Sequence, residues 1–134
     1  MHMPIFKIRL DWKIVELDNI LSNLVLSVDG AIGAAIGGMD GLLVEQFSNE
    51  AKLDLSSIVA EHSNLLRNAG SAYEGSLDAG KVSEVLIISQ KLIGYTVQIT
   101  GDFFLTLTLE PSGNIGKARL MSDLALKSLR EVLS

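Results

Sequence analysis

The sequence predicts a single α+β domain over residues 1–134, with a five-stranded antiparallel sheet covered by helices on both faces. Three segments repeat apolar residues at every third or fourth position, which is typical of amphipathic helices. Five short segments are separated by turn residues, and short turns between successive strands favour antiparallel pairing. One strand, at residues 31–36, is apolar throughout and must be covered on both sides. The predicted order is α-β-β-α-β-β-β-α.

The first helix is predicted to begin after Asp11, a residue type suited to the N-cap, and to end at Gly30. Residues 5–10 alternate between apolar and basic side chains, which predicts a short edge strand or an N-terminal arm. Residues 1–11 are therefore expected to be an addition to the core of the domain. We expect Trp12 to pack the start of the helix onto the sheet. The apolar residues expected to face the sheet are Ile14, Leu17, Leu21, Leu24 and Val28.

A hairpin is predicted at the centre of the domain. Residues 31–36 are small and apolar, and the glycines in and after this run disfavour a helix. Met39-Asp40-Gly41 provides the residue types that a tight turn needs, and residues 42–47 form the return strand. The remaining segments must cover this hairpin.

A second, long helix is predicted over residues 55–78, capped by Asp54 or Ser56 and interrupted by Gly70 and Gly75. Its expected inward stripe consists of Leu55, Ile58, Val59, His62, Leu65, Leu66, Ala69 and Tyr73. The other side is mostly small and uncharged, whereas a solvated helix face normally carries more Lys and Glu. Small neutral side chains permit another helix to approach closely, so this side is a candidate interface. Its residues are Ala60, Ser63, Asn64, Arg67, Asn68 and Ser71.

Three strands and a last helix complete the domain. The strands are predicted at residues 82–89, 93–100 and 103–109, and Gly101-Asp102 suits a two-residue hairpin turn. Alternation in the middle one of these strands predicts that Gly94, Thr96, Gln98 and Thr100 face outward. The last helix is capped by Asn114, and its expected buried residues are Ala118, Met121, Leu124, Ala125, Ser128 and Val132.

Composition excludes several classes of function. The net charge is −5 and the 11 basic residues are scattered, which disfavours nucleic acid and anionic membranes as partners. The absence of cysteine excludes disulfides and thiolate metal sites. No stretch has the ~20 apolar residues of a membrane span, and residues 1–10 do not match a secretory signal, so we expect a cytoplasmic protein.

No catalytic or cofactor site can be assembled from the sequence, and we expect a protein that is not an enzyme and has no cofactor. The glycines at residues 30–41 do not match a phosphate-binding loop. His62 has no nucleophile placed beside it, and a packed histidine is the better interpretation. Arg67 has two interpretations, a pair with a partner's carboxylate or a solvated side chain lying over its own helix.

The residues described above carry a family resemblance. Asp40-Gly41-Leu42-Leu43-Val44 leads from a turn into a strand, and a long helix then precedes three strands. Asn114-Ile115-Gly116-Lys117-Ala118-Arg119 opens the last helix with an Asn-x-Gly-x-Ala-Arg pattern. Together these features resemble the roadblock / dynein light-chain domain family over roughly residues 14–133.

The resemblance implies a homodimer formed through the long helix and the strand after it, which would join two sheets into one. The implied interface adds Val82, Glu84 and Leu86 to the helix residues above. It also implies a non-enzymatic regulator or adaptor of a Ras-like small GTPase, which promotes hydrolysis without inserting an arginine. The alternative is a small-molecule sensor or a passive scaffold, since profilin-like domains share this layout and fold does not determine function.

Overall fold

A computed structural model describes the backbone from Ile5 to Ser134 and the side chains from Trp12 onward. The helices are α1 (Ile5–Ser27), α2 (Leu55–Gly70) and α3 (Ile115–Leu133), and a π-helical segment (Ser71–Ser76) continues α2. The strands are β1 (Ala31–Gly38), β2 (Leu43–Ser48), β3 (Glu84–Ile88), β4 (Ile93–Gln98) and β5 (Phe103–Leu109). They form one antiparallel sheet in the order β2-β1-β5-β4-β3, which confirms the predicted fold class.

Helices cover both faces of this sheet, as the sequence predicts. α1 and α3 lie on one face and bury the larger core, which includes Leu21, Ile36, Tyr95, Leu107 and Leu129. α2 lies on the other face and buries a smaller core, whose members are Ala35, Leu55, Val59, Leu66 and Phe104. The two sets alternate along β1 and β5 because successive side chains of a strand point to opposite faces.

Small residues of β1 let α2 lie close to the sheet. A Cβ atom on Gly33 would lie 2.6 Å from a methyl group of Leu53, and one on Gly37 would lie 2.6 Å from a methyl group of Val59. Real Cβ atoms do not come that near to other carbons. At Gly37 the neighbour Val59 is fully buried, so this position requires glycine, whereas at Gly33 the half-buried end of Leu53 would have to shift. The prediction of a small-residue strand covered on both sides is confirmed.

The predictions for the start of the chain are wrong. α1 begins at Ile5, so residues 5–10 are helical and not a strand, and Asp11 lies inside the helix instead of capping it. Part of the expected addition, residues 1–4, lies outside the described residues. Neither glycine nor proline occurs between Ile5 and Val28, so nothing in the sequence stops the helix there. Trp12 is 58% exposed and does not pack onto the sheet. Ile14 is also exposed.

The predicted buried face of α3 is only partly correct. Ala118 and Val132 are buried and Met121 and Ala125 are partly buried, but Leu124 is 62% exposed and Ser128 faces solvent. The helix instead turns Ser122, Leu126 and Leu129 inward. This rotation of the helix buries Leu126 and Leu129, which lie three residues apart and on the same side as Ala118 and Val132.

Two further predictions fail where α2 meets the sheet. Thr96 was expected to face outward together with Gly94, but both are buried because α2 covers this face of β4. Tyr73 was expected to face inward but is 53% exposed. The π-helical segment after Gly70 has more residues per turn than an α-helix. The side chains that follow therefore point away from the sheet. None of the helices described here is long and apolar enough to cross a membrane.

Candidate partner interface

β3 forms one edge of the sheet, and its hydrogen bonds show which backbone groups are free. Gln98 N donates to Ser83 O at 3.0 Å, and Ser89 N donates to Leu92 O at 2.9 Å. In an antiparallel pair, every second residue of an edge strand directs its N–H and C=O away from its neighbour. No other strand in residues 5–134 pairs with these outward groups. They belong to Glu84, Leu86 and Ile88.

This edge lacks the protection that edge strands usually have. Monomeric proteins protect a sheet edge with lysine, proline or bulges, because free N–H and C=O groups pair readily with another chain. β3 has the sequence Glu-Val-Leu-Ile-Ile, with one charge at its start, and its pairing with β4 is regular throughout. Ile88 is 65% exposed. The β3 edge is therefore a candidate site for pairing with another chain.

One flank of α2 extends the apolar surface beside β3. A Cβ atom on Gly94 of β4 would lie 2.7 Å from the ring of His62, so His62 of α2 lies directly over β4. The flank of α2 next to His62 therefore faces β4 and β3. Half-buried apolar residues occupy this flank, and Ile87 of β3 and Leu92 are exposed nearby. We call this flank together with β3 the β3 shelf. Its helical members are Ile58, Leu65, Ala69 and Ala72.

The opposite flank of α2, which the sequence analysis proposed as part of the interface, contacts the β1–β2 turn. Ser63 is buried, and a Cβ atom on Gly41 would lie 3.2 Å from its hydroxyl and 4.0 Å from Cα of Ala60. Arg67 donates to the carbonyl of Met39 and to the side chain of Asn64. These contacts occupy Ala60, Ser63 and Arg67 within the protomer. The proposed residues that remain exposed are Asn64, Arg67, Asn68 and Ser71, of which Asn64 and Arg67 bond each other.

The proposed strand residues Val82, Glu84 and Leu86 are all half-buried along the β3 edge. Leu86 packs against the core under α1 and α3. Sequence reasoning missed the shelf because Ile58, Leu65 and Ala69 were assigned to the inward stripe. The sequence did carry a signal for the shelf. The apolar side chains of α2 cover a wider arc than packing against one sheet requires, which indicates a second apolar contact.

A cluster of three side chains fixes the start of β3. Arg119 Nε donates to Glu84 Oε1 at 2.9 Å, and Tyr95 donates its hydroxyl to Glu84 Oε2 at 2.5 Å. The guanidinium of Arg119 lies 6.0 Å from the centre of the Tyr95 ring, within reach of a cation–π contact. Burial, together with the bond to Glu84, raises the pKa of Tyr95 well above its usual range.

The same cluster explains the motif that opens α3. The side chain of Asn114 accepts from Lys117 N at 3.0 Å and caps the helix, while its own N–H donates to Asp29 O at 3.0 Å. Ala118 is fully buried, and Arg119 reaches the edge strand. The motif therefore ties α3 to the end of α1 and to the start of β3.

Replacing Arg119 with alanine is expected to loosen the β3 edge without unfolding the domain. The ion pair with Glu84 is partly exposed, so its loss should lower the free energy of unfolding by about 1 kcal/mol or less. Amide exchange at the start of β3 should become faster than in the parent protein. Arg130→Ala, which removes a bond to Ile99 O at the far end of α3, is the matched control. Equal exchange at β3 in both variants would contradict this role.

His62 belongs to a buried chain of hydrogen bonds under α2. Its Nδ1 lies 2.6 Å from Thr96 Oγ1, which donates to Thr106 Oγ1 at 2.9 Å. Thr96 has one hydroxyl hydrogen, so with this direction Nδ1 of His62 is the donor. Burial lowers the pKa of His62, and the nearby carboxylate of Glu61 opposes this shift. The packed-histidine interpretation agrees with this position.

The lowered pKa of His62 predicts a stability that depends on pH. The unfolded chain binds a proton at His62 more readily than the folded one, so stability is complete above the ordinary pKa of about 6.5 and declines as the pH falls below it. The melting temperature of the parent protein should therefore fall between pH 7 and pH 5. His62→Gln should reduce the slope in this interval, and an unchanged slope would contradict the prediction. Glu61→Gln is the control for the neighbouring charge.

No arrangement of ligands for a metal ion is found among the described residues, where groups of three His, Asp or Glu do not occur together. The surface around β3 is mostly apolar, and its charges near the start of the strand include the Glu84–Arg119 pair. Its arrangement suits contact with another protein surface.

Comparison with known proteins agrees with the fold. No protein-family model and no curated protein sequence matches the chain. The structure of MglC from Myxococcus xanthus is 33% identical to it, covers 87% of this chain and 98% of that one, and has a TM-score of 0.62. A Roadblock/LC7 domain from Streptomyces avermitilis is 20% identical, with 87% and 96% coverage and a TM-score of 0.79. MglB in a tetrameric arrangement is 15% identical, with 90% and 89% coverage and a TM-score of 0.80.

Proposed function

The chain belongs to the Roadblock/LC7 family, and from this premise we propose that it is a non-enzymatic homodimer that regulates a Ras-like small GTPase or serves as its adaptor. The observation that carries the proposal is the unprotected, apolar edge of β3. A second copy can cover this edge by antiparallel pairing of β3 with β3, which extends the sheet from one protomer into the other.

The β3 shelf supplies the apolar part of the proposed dimer interface. Strand pairing brings the two α2 helices together on the same face of the joined sheet. Their half-buried flanks, which carry Leu65 and Ala69, then meet beside Ile87. Apolar area removed from water stabilises association by roughly 25 cal/mol per Å² before the costs of ordering are subtracted. A relative of this chain, MglB, has been solved in a tetrameric arrangement, which supports self-association in this fold.

The outer face of the paired α2 helices is the proposed contact surface for the GTPase. Asn64, Asn68 and Ser71 are exposed there and carry no charge. Small polar side chains desolvate at low cost and form hydrogen bonds to backbone groups of a partner. Arg67 already donates to Met39 O and to Asn64, so it is not free to act as an inserted arginine.

The test uses a Ras-like GTPase encoded by the same genome, loaded with GDP or with a non-hydrolysable GTP analogue. We expect binding that prefers one nucleotide state, measured by calorimetry, or a changed rate of GTP hydrolysis. Asn68→Arg places a long charged side chain on the outer face and should weaken binding at least about tenfold. Lys127→Glu, on the exposed side of α3, is the matched control. Absence of both binding and any change in hydrolysis for the parent dimer would overturn the proposal.

A further inference from the structure

α1 carries two rows of side chains, each with alternating spacings of three and four residues. The inner row packs on the sheet and consists of Leu17, Leu21, Leu24 and Val28. The outer row lies on the opposite side of the helix and consists of Trp12, Val15, Asn19, Ser22 and Leu26. This spacing is that of the seam along which two helices pair. In the sequence, Ile5 and Ile8 continue the same spacing toward the start of α1.

The outer row is apolar at both ends and carries no charge. Trp12, Val15 and Leu26 are 58%, 59% and 72% exposed. Between them lie Asn19 and Ser22, and the Ser22 hydroxyl donates to Asn19 O at 3.1 Å within the helix. On the same face of the sheet, the outward side of α3 carries the charges of an ordinary solvated surface, which are those of Lys117, Lys127 and Glu131. Single exposed apolar residues need no explanation, but a row of them at this spacing indicates contact with another helix.

The charges beside the outer row favour one kind of partner. Glu16 lies along one flank of the row and Asp18 along the other, at the positions that face the edges of a paired helix. Within residues 12–134 neither carboxylate is in an ion pair. The two other flank positions, Asn23 and Val25, carry no charge, and Lys13 is half-buried outside the flanks. A second copy would set acidic flanks against each other, so this surface favours a helix with Lys or Arg at its edges.

The position of α1 in the fold allows a second partner to bind. α1 covers the larger core and α2 covers the smaller one, so the two helices lie on opposite faces of the sheet. A helix docked on α1 leaves the α2 face, which is the proposed contact surface for the GTPase, uncovered. The outer row from Trp12 to Leu26 is about 21 Å long, which is enough for about four turns of a partner helix.

We propose that the outer row of α1 binds an amphipathic helix of another protein, whose apolar seam is flanked by lysine or arginine. Its apolar residues cover Trp12, Val15 and Leu26, and its basic residues pair with the acidic flanks. A polar residue opposite Asn19 fixes the register of the two helices, because one polar position in an apolar seam disfavours other alignments. The proposal concerns α1 alone and does not depend on the proposed dimer.

The fluorescence of Trp12 reports on this site directly, because Trp12 is the single tryptophan of the chain. The probe is a synthetic helical peptide of about three heptads with Leu along its seam, one Asn in the middle of the seam and Lys on both flanks. Repulsion between the lysines keeps the peptide from pairing with itself. We expect a blue shift of the Trp12 emission, with a dissociation constant in the micromolar range. A matched peptide with Glu in place of Lys should bind at least about tenfold more weakly.

Variants of the protein separate this site from nonspecific contact, with the fold checked by circular dichroism. Leu26→Lys should weaken binding of the lysine peptide at least about tenfold, whereas Leu77→Lys, at a similarly exposed leucine after the π-helical segment, should not. Asp18→Lys should weaken it several-fold and should improve binding of the glutamate peptide. Equal affinity of the parent for both peptides, or unchanged affinity in Leu26→Lys, would overturn the proposal.

Other occupants of this face give different results. A loss of mass in Leu26→Lys, measured by light scattering against the parent, would assign the face to a second copy and contradict the proposal. An emission shift with vesicles of uncharged phosphatidylcholine but not with the lysine peptide would assign it to a lipid surface instead. Absence of any shift with the lysine peptide also counts against the proposal.

Discussion

Ile88→Glu is expected to convert the proposed dimer of about 29 kDa, twice the 14.4 kDa of the chain, into a monomer. Ile88 is the most exposed apolar residue of β3, and its N–H and C=O point to the free edge. Pairing two copies through β3 would bury the new carboxylate without a partner, and burying an unpaired charge costs several kcal/mol. The dissociation constant should rise at least about a hundredfold.

The measurement is light scattering at micromolar concentration, with the fold checked by circular dichroism. Leu26→Glu is the matched control, because Leu26 is a similarly exposed apolar residue on α1, which packs against β1 and β2 at the opposite end of the sheet from β3. This control should keep the mass of the parent protein. A dimer that survives Ile88→Glu, or one that Leu26→Glu also dissociates, would remove β3 from the interface.

Gly37→Val is expected to have the largest effect on stability. A Cβ atom at this position would lie 2.5 Å from Phe104 Cζ and 2.6 Å from Val59 Cγ1. Both neighbours are fully buried between α2 and the sheet, so neither can move without disturbing the smaller core. Overpacking usually costs about 1–3 kcal/mol, and the branched valine should reach or exceed the upper end of this range. The whole free energy of unfolding of a domain is roughly 5–15 kcal/mol, so this loss is a large part of it.

Urea denaturation followed by circular dichroism checks this prediction, and the midpoint should fall clearly while the slope stays the same. Gly101→Val is the control, because a Cβ atom there would meet nothing within 4 Å. If the control lost as much stability as Gly37→Val, the loss of a glycine as such would explain the effect. In that case the close approach of α2 would not be the cause.

Local chemistry explains why much of the fold could be predicted. The small residues of β1 predict a strand covered on both sides, and the structure places α2 and the α1–α3 pair on its two faces. Asn114 has the residue type of an N-cap and caps α3. Asp54 has the same role for α2, where its carboxylate accepts from Ser57 N. Each of these predictions depends on neighbours within a few residues along the chain.

The errors occurred where the environment of a side chain depends on another element. Thr96 looks like the outward residue of an alternating strand, but α2 covers it, and its hydroxyl bonds His62 of α2 and Thr106 of β5. Leu124 fits a helical stripe as well as Leu126 does, and only the packing of α3 against the sheet turns Leu126 inward. The candidate interface shifted for the same reason, because the β1–β2 turn occupies Ser63 and Arg67.

The sequence by itself determined the order of helices and strands, the turns between them and the family likeness, because periodicity, capping and turn chemistry act over a few residues. Only the tertiary structure decided which flank of α2 is free, which groups of β3 lack partners, and that Arg119 ties α3 to Glu84. These features depend on the residues that surround each side chain in space, and those residues are far apart in the chain.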